Sequence, residues 1–577
     1  MLVRDYLKNH VLLFDGAMGS YHNQLTIETF DDCEIDNLNN PQLISKIHED
    51  YLEAGAKAIK TNTFMANELK YPGNFKEIIK AGFDIAKKQA GYYGAYVFCD
   101  IGPINEEFVM LKNVVDEFIG LGAQNFIFET LSSSSNIDSI TKYIKEKVED
   151  SFIIVSFSVN AQGYSNEGEY FLDLIDECNT CKSIDSVGLN CSTGPRHLNY
   201  HLRNIDKHNK PIFIGPNAAY PTVIGHRTYF RSNEDYYASE MIEIANNGAK
   251  IIGGCCGTTP RHIEMIADLL PGKYEHEVDL PPEQTVKKDV HNPFMNKLKL
   301  KKKVIAVELD SPLKDDITKF MERAHFLQSL GIDIMTIADN PLGRARMDSS
   351  LVACKVKREL GLEVLPHLTC RDRNINATKG LLLGLSVEGV HNVLVVTGDP
   401  LPSSIRDEVR SVYEFNSRKM AKYITNLNRT DFSKPFNLMG ALNVNARNFD
   451  VQIKLAKEKI ENGVTVFLTQ PVMSEQSLIN LKRAHEELDA YILAGILPIV
   501  SYRNALFIDN EIPGIEVKED VINRYKDKTK EESTIIAVDL SSELIHQVAD
   551  YCDGYYLMTP FNRVDIIESL IGKIRDI

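Results

Sequence analysis

Short apolar runs rich in β-branched residues alternate along the chain with longer segments whose apolar positions recur at helical spacing. In the first half the runs begin at Val11, Ala56, Ala95, Asn125, Phe152, Ser186, Pro211 and Ala249. Continuous apolar runs of this kind read as parallel strands buried on both faces, with the intervening segments as crossover helices. Between 270 and 300 the pattern lapses into PGKYEHEVDLPPEQTVKKDVHNPFMNKLKLKKK, a polar, proline-containing stretch that suits a linker. Its basic end, 298–303, reads as a solvated lead-in to a strand. A second set then begins at Lys303, Ile332, Glu363, Asn392, Asn437, Val464, Tyr491 and Gly554. Two sets of eight predict an α/β chain of two tandem (β/α)8 TIM barrels: 1–270, a linker at 271–300, and 301–577. Functional side chains of such barrels gather at the C-terminal ends of the strands, so polar residues there are the candidates.

The length of 577 residues fits two domains of this size. No apolar run approaches the ~20 residues that span a bilayer. The N-terminus, MLVRDYLKNHVLLFDGAMGS, mixes Asp, Lys and His into its apolar stretch and lacks a signal-peptide layout. The expectation is a cytoplasmic protein with no membrane partner. A net charge of −16 has the wrong sign for a nucleic-acid partner. In a reducing compartment, the ten cysteines then point to metal binding or catalysis before disulfides.

Cys191 ends the sixth run of the first set, and Cys255 and Cys256 end the eighth, in GGCCGT. Neighbouring strand residues point to opposite faces, so adjacent cysteines share one metal only where the strand has ended and the backbone turns. Glycines 253, 254 and 257 supply freedom for that turn. Three thiolates at a barrel mouth leave the fourth tetrahedral position of Zn²⁺ open, as in a catalytic site. A thiol entering there loses its proton and becomes a nucleophile at neutral pH. Cys178-x2-Cys181 has a familiar zinc spacing but lies in a helix-to-loop stretch with no second pair, and is read as structural.

The motifs LFDGAMGS, TNTF, DIGP, FET, GLNC, GPNA and GGCCGTTPRHI, in this order, resemble the homocysteine-binding methyltransferases over about residues 1–270. The resemblance implies zinc ligands at Cys191, Cys255 and Cys256. It also implies that Asp15 and Glu129 hold the amino group of homocysteine, with Asn190 and the TNTF stretch lining the pocket. Carboxylates at strand ends suit an ammonium group.

The second half has neither a GxGxxG fingerprint nor a P-loop. Its strand ends offer Glu308, Thr336, His367, Asp399 and Gln470. A carboxylate following an apolar strand is a candidate general acid, because partial burial raises its pKa. VELDSP, PHLTC, VVTGDP, VYEFNS, the KIENG and TQP segments, GILPIVSYRNA and NEIPGI are similar to methylenetetrahydrofolate reductases over about 300–577. The likeness implies FAD, reduced by NAD(P)H, in a barrel without a dinucleotide motif. It casts Glu308 as general acid, Asp399 as the carboxylate near flavin and pterin, and Gln470 as the pterin contact. Thr336, His367, Tyr413 and Lys459 match flavin-contacting positions. The chain departs from the family at Thr397, where many members carry arginine, and at Ser311 and Gln452.

Together the two resemblances imply a bifunctional enzyme that methylates homocysteine to methionine and reduces 5,10-methylenetetrahydrofolate to 5-methyltetrahydrofolate. The methyl donor, S-methylmethionine or methylfolate, stays open, as does assembly into a homo-oligomer. Two other readings stand beside it. One is a non-catalytic zinc-thiolate and folate-binding protein, the other a methyltransferase for a different thiol or selenol.

Overall fold

A computed structural model describes residues 2–26, 33–104, 108–207, 209–219, 233–271, 292–399, 411–511 and 515–575, with 221–224, 227–230 and 342 described by backbone only. The chain divides into two compact units, 1–284 and 285–577. Most of the expected linker, 272–291, lies outside the described residues.

The first unit contains β1 (Leu12–Leu13), β2 (Ala58–Lys60), β3 (Tyr96–Ile101), β4 (Asn125–Leu131), β5 (Phe152–Phe157), β6 (Ser186–Asn190) and β7 (Ile212–Gly215). It continues with β8 (Pro221–Ile224), β9 (Arg227–Phe230) and β10 (Ala249–Ile252). Eight of these form a parallel sheet in the order β1-β10-β7-β6-β5-β4-β3-β2. A bridge between Phe14 and Ala58 joins its two edges, with Asp15 N–H donating to Ala58 O at 2.9 Å and Lys57 N–H to Leu13 O at 2.8 Å. The ring is therefore the expected (β/α)8 barrel. The antiparallel hairpin β8–β9, inserted after β7, was not anticipated.

Strand alternation sorts the core. Leu12, Phe14, Ala58, Phe98, Ile127, Phe152, Ile154, Phe213 and Ile251 form one buried cluster, joined by Val3 and Leu7 from the N-terminal segment. Their sequence neighbours Leu13, Cys99, Phe126, Phe128, Ile153 and Val155 pack instead with the surrounding helices. The helices cover the sheet by amphipathic spacing, as in Pro41–Glu53, which buries Ile44, Ile47, His48, Tyr51 and Leu52.

The second unit is a closed parallel ring. Its strands are β11 (Val304–Glu308), β12 (Ile334–Ile337), β13 (Val364–Thr369), β14 (Asn392–Val396), β15 (Asn437–Leu442), β16 (Val464–Pro471), β17 (Tyr491–Ile496) and β18 (Gly554–Leu557). Its interior is filled by Val304, Ala306, Ile334, Leu365, Leu394, Met439, Val466, Leu493 and Tyr556. Part of the segment read as linker belongs here: Pro293–Lys299 is a helix capped by the Asn292 side chain. Its Phe294, Met295 and Leu298 join that core cluster. An apolar triplet at helical spacing was hidden inside a polar, lysine-rich stretch.

Candidate active sites

Cys191 follows β6, and Cys255 and Cys256 follow β10, all at the C-terminal ends of their strands. β6 stops at Asn190 because Cys191 and Ser192 both take left-handed backbone, with φ of 59° and 55°. The GGCC turn places Cys255 N–H on Pro216 O at 2.9 Å and Ala218 N–H on Cys256 O at 3.0 Å. The glycines serve differently from the expectation. Gly257 alone of the three has a positive φ, 84°. Gly253 and Gly254 are required by close approach: a Cβ on Gly254 would lie 2.3 Å from Thr258 Oγ1, and one on Gly253 2.6 Å from Phe14 Cβ. Thr258 Oγ1 in turn accepts Ala17 N–H at 2.9 Å and donates to Cys255 O at 2.7 Å, which pins the turn to the loop after β1.

The three sulfurs all lie within 4.8 Å of one another, the group of metal-ligating atoms found among the described residues. Crowding and burial keep them protonated in isolation. A hydrogen bond with Cys255 eases ionisation of Cys191 most, yet the bond to Cys256 and burial outweigh it and push the thiol up to about 12. Cys256 behaves alike: its bond with Cys191 lowers, the bond and charge of Cys255 and burial raise, again to about 12. Such a donor set fits a soft dication, which displaces all three protons at once. Cys178 and Cys181 are not part of it. Cys178 is buried, and Lys210 Nζ donates to the carbonyl oxygens of both residues.

Next to the thiols lies a cluster of buried charges. Asp15, after β1, accepts Lys60 N–H on Oδ2 at 2.9 Å, while its Oδ1 is buried without a hydrogen-bond partner. Burial pushes its carboxyl up to about 7, against the lowering effect of Lys60. Glu129, on β4, receives Lys60 Nζ at 3.2 and 3.3 Å and Asn190 Nδ2 at 3.3 Å. Asn190 also donates to Thr130 Oγ1 at 2.9 Å and accepts Thr130 N–H at 2.9 Å. The expected set of Asp15, Glu129 and Asn190 is thus brought together, and Lys60 with it. Sequence reasoning passed over Lys60, although a lysine inside the apolar run AKAIKTNTF was the visible signal.

In the second barrel, Glu308 ends β11, and Thr336 lies beside it in register on β12. Burial raises the Glu308 carboxyl to about 7, opposed by a hydrogen bond from Tyr556 of β18 and reinforced by the charge of Asp310. The Tyr556 hydroxyl donates to Glu308 Oε2, and the Thr559 hydroxyl to Glu308 O at 2.6 Å. Tyr556 lies inside the apolar run that begins at Gly554, and its sequence gives no sign of its role as the partner of Glu308. His367, on β13, has a buried Nε2 without a partner, and burial lowers its pKa to about 4. Gln470, near the end of β16, and Asp399, after β14, are exposed. Tyr413 is 39% exposed with φ of 41°.

Lys459 is not at a strand end. It lies on the helix Phe449–Glu461, with Nζ donating to Ala441 O of β15 at 2.8 Å, and burial lowers its pKa to about 8. The arginine absent at Thr397 has a neighbour in kind. Arg371, 1% exposed, donates from Nη1 to Asp399 O at 2.7 Å and accepts Val412 N–H on its backbone oxygen at 2.9 Å. Its guanidinium also pairs with Asp372 at 2.7 Å. Ser311 is buried with Oγ unpartnered, and Gln452 is half-buried.

Fold and sites define a two-barrel α/β protein with a three-thiol, metal-competent mouth in one barrel and a half-buried acid at the mouth of the other. The family model described as homocysteine S-methyltransferase matches residues 12–270, and that described as methylenetetrahydrofolate reductase matches 294–572. Each barrel therefore matches one family, a homocysteine S-methyltransferase domain followed by a methylenetetrahydrofolate reductase domain. Among curated proteins it is similar to methionine synthase of Mycobacterium tuberculosis, 27% identical over 296 residues, which are 46% of this chain and 25% of that one. Methionine synthase of Mycobacterium leprae is likewise 27% identical, over 45% of this chain and 24% of that one. The chain thus spans about a quarter of the length of these relatives. A crystal structure of the homocysteine methyltransferase MmuM from Escherichia coli, metallated form, is 20% identical and covers 46% of this chain and 98% of its own, at a TM-score of 0.40. Among the described residues no helix is long and apolar enough to cross a membrane.

Proposed function

We propose that the chain is a bifunctional one-carbon enzyme of the cytoplasm. Its first barrel methylates homocysteine to methionine, and its second reduces 5,10-methylenetetrahydrofolate to 5-methyltetrahydrofolate. The observation that carries this reading is the meeting of Cys191, Cys255 and Cys256 at one barrel mouth, in the half that matches the homocysteine S-methyltransferase family. Those three sulfurs would hold Zn²⁺ and leave its fourth position open. When bound, zinc supplies the Lewis acidity that makes a substrate thiol nucleophilic at neutral pH. Asp15, through its unpartnered Oδ1, and Glu129 hold the amino group of homocysteine, and Asn190 fixes Glu129 from the side. The methionine synthase relatives favour the same product.

In the second barrel the residues fit a flavin: a buried His367 Nε2 without a partner among the described residues, Thr336 on the adjacent strand, the Lys459 cation, and Tyr413 near Arg371. When bound, FAD reduced by NAD(P)H supplies the hydride. Glu308, still protonated near neutral pH, gives its proton to the folate nitrogen whose bond to the methylene carbon breaks. Asp399 and Gln470 stand at exposed positions where a pterin would be met. The departure at Thr397 is offset by Arg371, which brings a cation to the same strand end.

The test follows labelled methyl groups into methionine, using zinc-replete, flavin-replete protein and homocysteine, without cobalamin. Label from 5-methyltetrahydrofolate makes the two barrels one pathway. Label from S-methylmethionine alone makes them two reactions on one chain. No labelled methionine from either donor refutes the methyltransferase reading, and a flavin-free protein that cannot be reconstituted refutes the reductase reading.

A further inference from the structure

Lys60 is a cation where an ammonium-binding pocket needs none. Its side chain is 9% exposed, and its side-chain hydrogen bonds among the described residues run to both oxygens of Glu129, at 3.2 and 3.3 Å. Asp15, Asp100 and Cys255 lie near enough to act on it electrostatically. Asp15 Oδ1 and Asp100 Oδ1 are both buried and unpartnered. A buried ion pair contributes little net stability, because desolvation of both charges consumes the attraction between them. Its presence beside a thiol site asks for a ligand.

We infer that Lys60 recognises the carboxylate of the thiol substrate, making the first barrel selective for an α-amino acid over a simple amino-thiol. This rests on the reading that the first barrel binds homocysteine. The argument is charge complementarity. An α-amino acid carries its ammonium and carboxylate on one carbon, and the pocket presents a carboxylate and an ammonium 3.2 Å apart. The substrate ammonium finds Asp15 Oδ1 and the outer face of Glu129. The substrate carboxylate finds Lys60, whose two bonds to Glu129 leave one N–H to donate. A thiol with an amine and no carboxylate would bring a second cation near Lys60 without the carboxylate that Lys60 would pair with, the repulsive half of a specificity device.

The test compares L-methionine with 3-(methylthio)propylamine, the same molecule without its carboxylate, by titration calorimetry on full-length, zinc-replete protein. Neither thioether depends on methyl transfer for its signal. The wild type is expected to prefer methionine by about 10- to 100-fold, the worth of a buried charge-assisted hydrogen bond. Lys60→Met should erase that preference through lost methionine affinity, and Lys60→Arg should retain part of it. Should Lys60→Met fail to fold with Glu129 left unpaired, the Lys60→Met/Glu129→Gln double variant removes both charges, and its loss of preference supports the same conclusion. An unchanged preference in a folded variant overturns the inference, reducing Lys60 to a partner of Glu129. Tighter methionine binding in Lys60→Met overturns it too, because Lys60 would then be a competitor of the substrate ammonium. A wild type that binds neither ligand fails differently, removing the homocysteine reading and the inference with it.

Discussion

Replacing Tyr556 by phenylalanine isolates the group that holds the proposed general acid of the second barrel. The rise of the Glu308 carboxyl from 4.5 to about 7 amounts to about 3 kcal/mol in favour of its protonated form. Burial drives that rise, and the Tyr556 hydroxyl opposes it by donating to the carboxylate. A hydrogen bond to a charged acceptor is worth about 1.5–3 kcal/mol, so its removal should raise the Glu308 pKa by about one to two pH units further. A general acid works in its protonated form. Folate reduction in the wild type should therefore hold at low pH and fall as pH rises through about 7. In Tyr556→Phe the falling limb should move up by about one to two pH units, even where the maximal rate drops. The assay is the pH profile of NAD(P)H-dependent methylenetetrahydrofolate reduction, read as kcat/KM on flavin-replete protein. A limb that stays in place or moves down would refute the reasoning, since Glu308 would then not be the titrating acid or Tyr556 not its partner. Glu308→Gln keeps the shape without a proton to give and should nearly abolish reduction with FAD still bound.

Four further outcomes are expected. Cys255→Ala should lose stoichiometric zinc, whereas Cys178→Ala should keep it, as metal analysis of the purified variants will show. Gly254→Ala drives a Cβ to within 2.3 Å of Thr258 Oγ1, so the turn carrying Cys255 must shift. That overpacking should cost about 1–3 kcal/mol and weaken zinc retention, read by thermal unfolding and chelator competition. Asp15 attracts an ammonium only when ionised, so homocysteine KM should fall as pH rises through about 7, and Asp15→Asn should flatten that dependence. Lys459→Met should weaken FAD binding without unfolding the barrel, measured by flavin fluorescence, because among the described residues its Nζ bonds a single backbone carbonyl, Ala441 O.

The sixteen barrel strands were legible because strands buried on both faces write themselves as unbroken apolar runs, and the strand ends pointed to Cys191, Cys255, Cys256 and Glu308, with Asp15 marked only through the family resemblance. Three things were not legible. Helix Pro293–Lys299 hid because three buried residues in a lysine-rich stretch leave the average composition polar. The ends of the barrel sheet join through a single bridge, Phe14 to Ala58, a pairing between residues far apart in the chain that no local pattern encodes. Arg371 and Tyr556 were invisible as site residues, and Lys60 showed only as a lysine in an apolar run, because their meaning lies in what they touch. A lysine in a strand is only a lysine until the fold sets it between Glu129 and Asp15, and the tyrosine needs the ring closure of β11 on β18 to reach Glu308. Even the glycines, correctly marked as necessary, were needed at two of three positions for space and not for backbone freedom.

The two barrels place a carboxylate at the same point, the end of the first strand, and burial brings both to about 7: Asp15 after β1 and Glu308 on β11. The proposed chemistry asks opposite things of them. Asp15 must give up its proton to hold an ammonium, and Glu308 must keep its proton to donate it. Their neighbours differ in the corresponding sense. Asp15 faces the Lys60 ammonium, and the arrival of a second cation from the substrate lowers its pKa, so binding itself ionises it. Glu308 faces a neutral hydroxyl and the charge of Asp310, which raises its pKa, so it stays protonated until a basic nitrogen arrives. Binding of methionine, which has an ammonium but no thiol proton, should accordingly release a proton below pH 7, and folate binding to the second barrel should not. Calorimetric titrations in buffers of different ionisation enthalpy separate the two. Equal proton release at both sites would mean that burial alone, and not these neighbours, sets the state of each carboxylate.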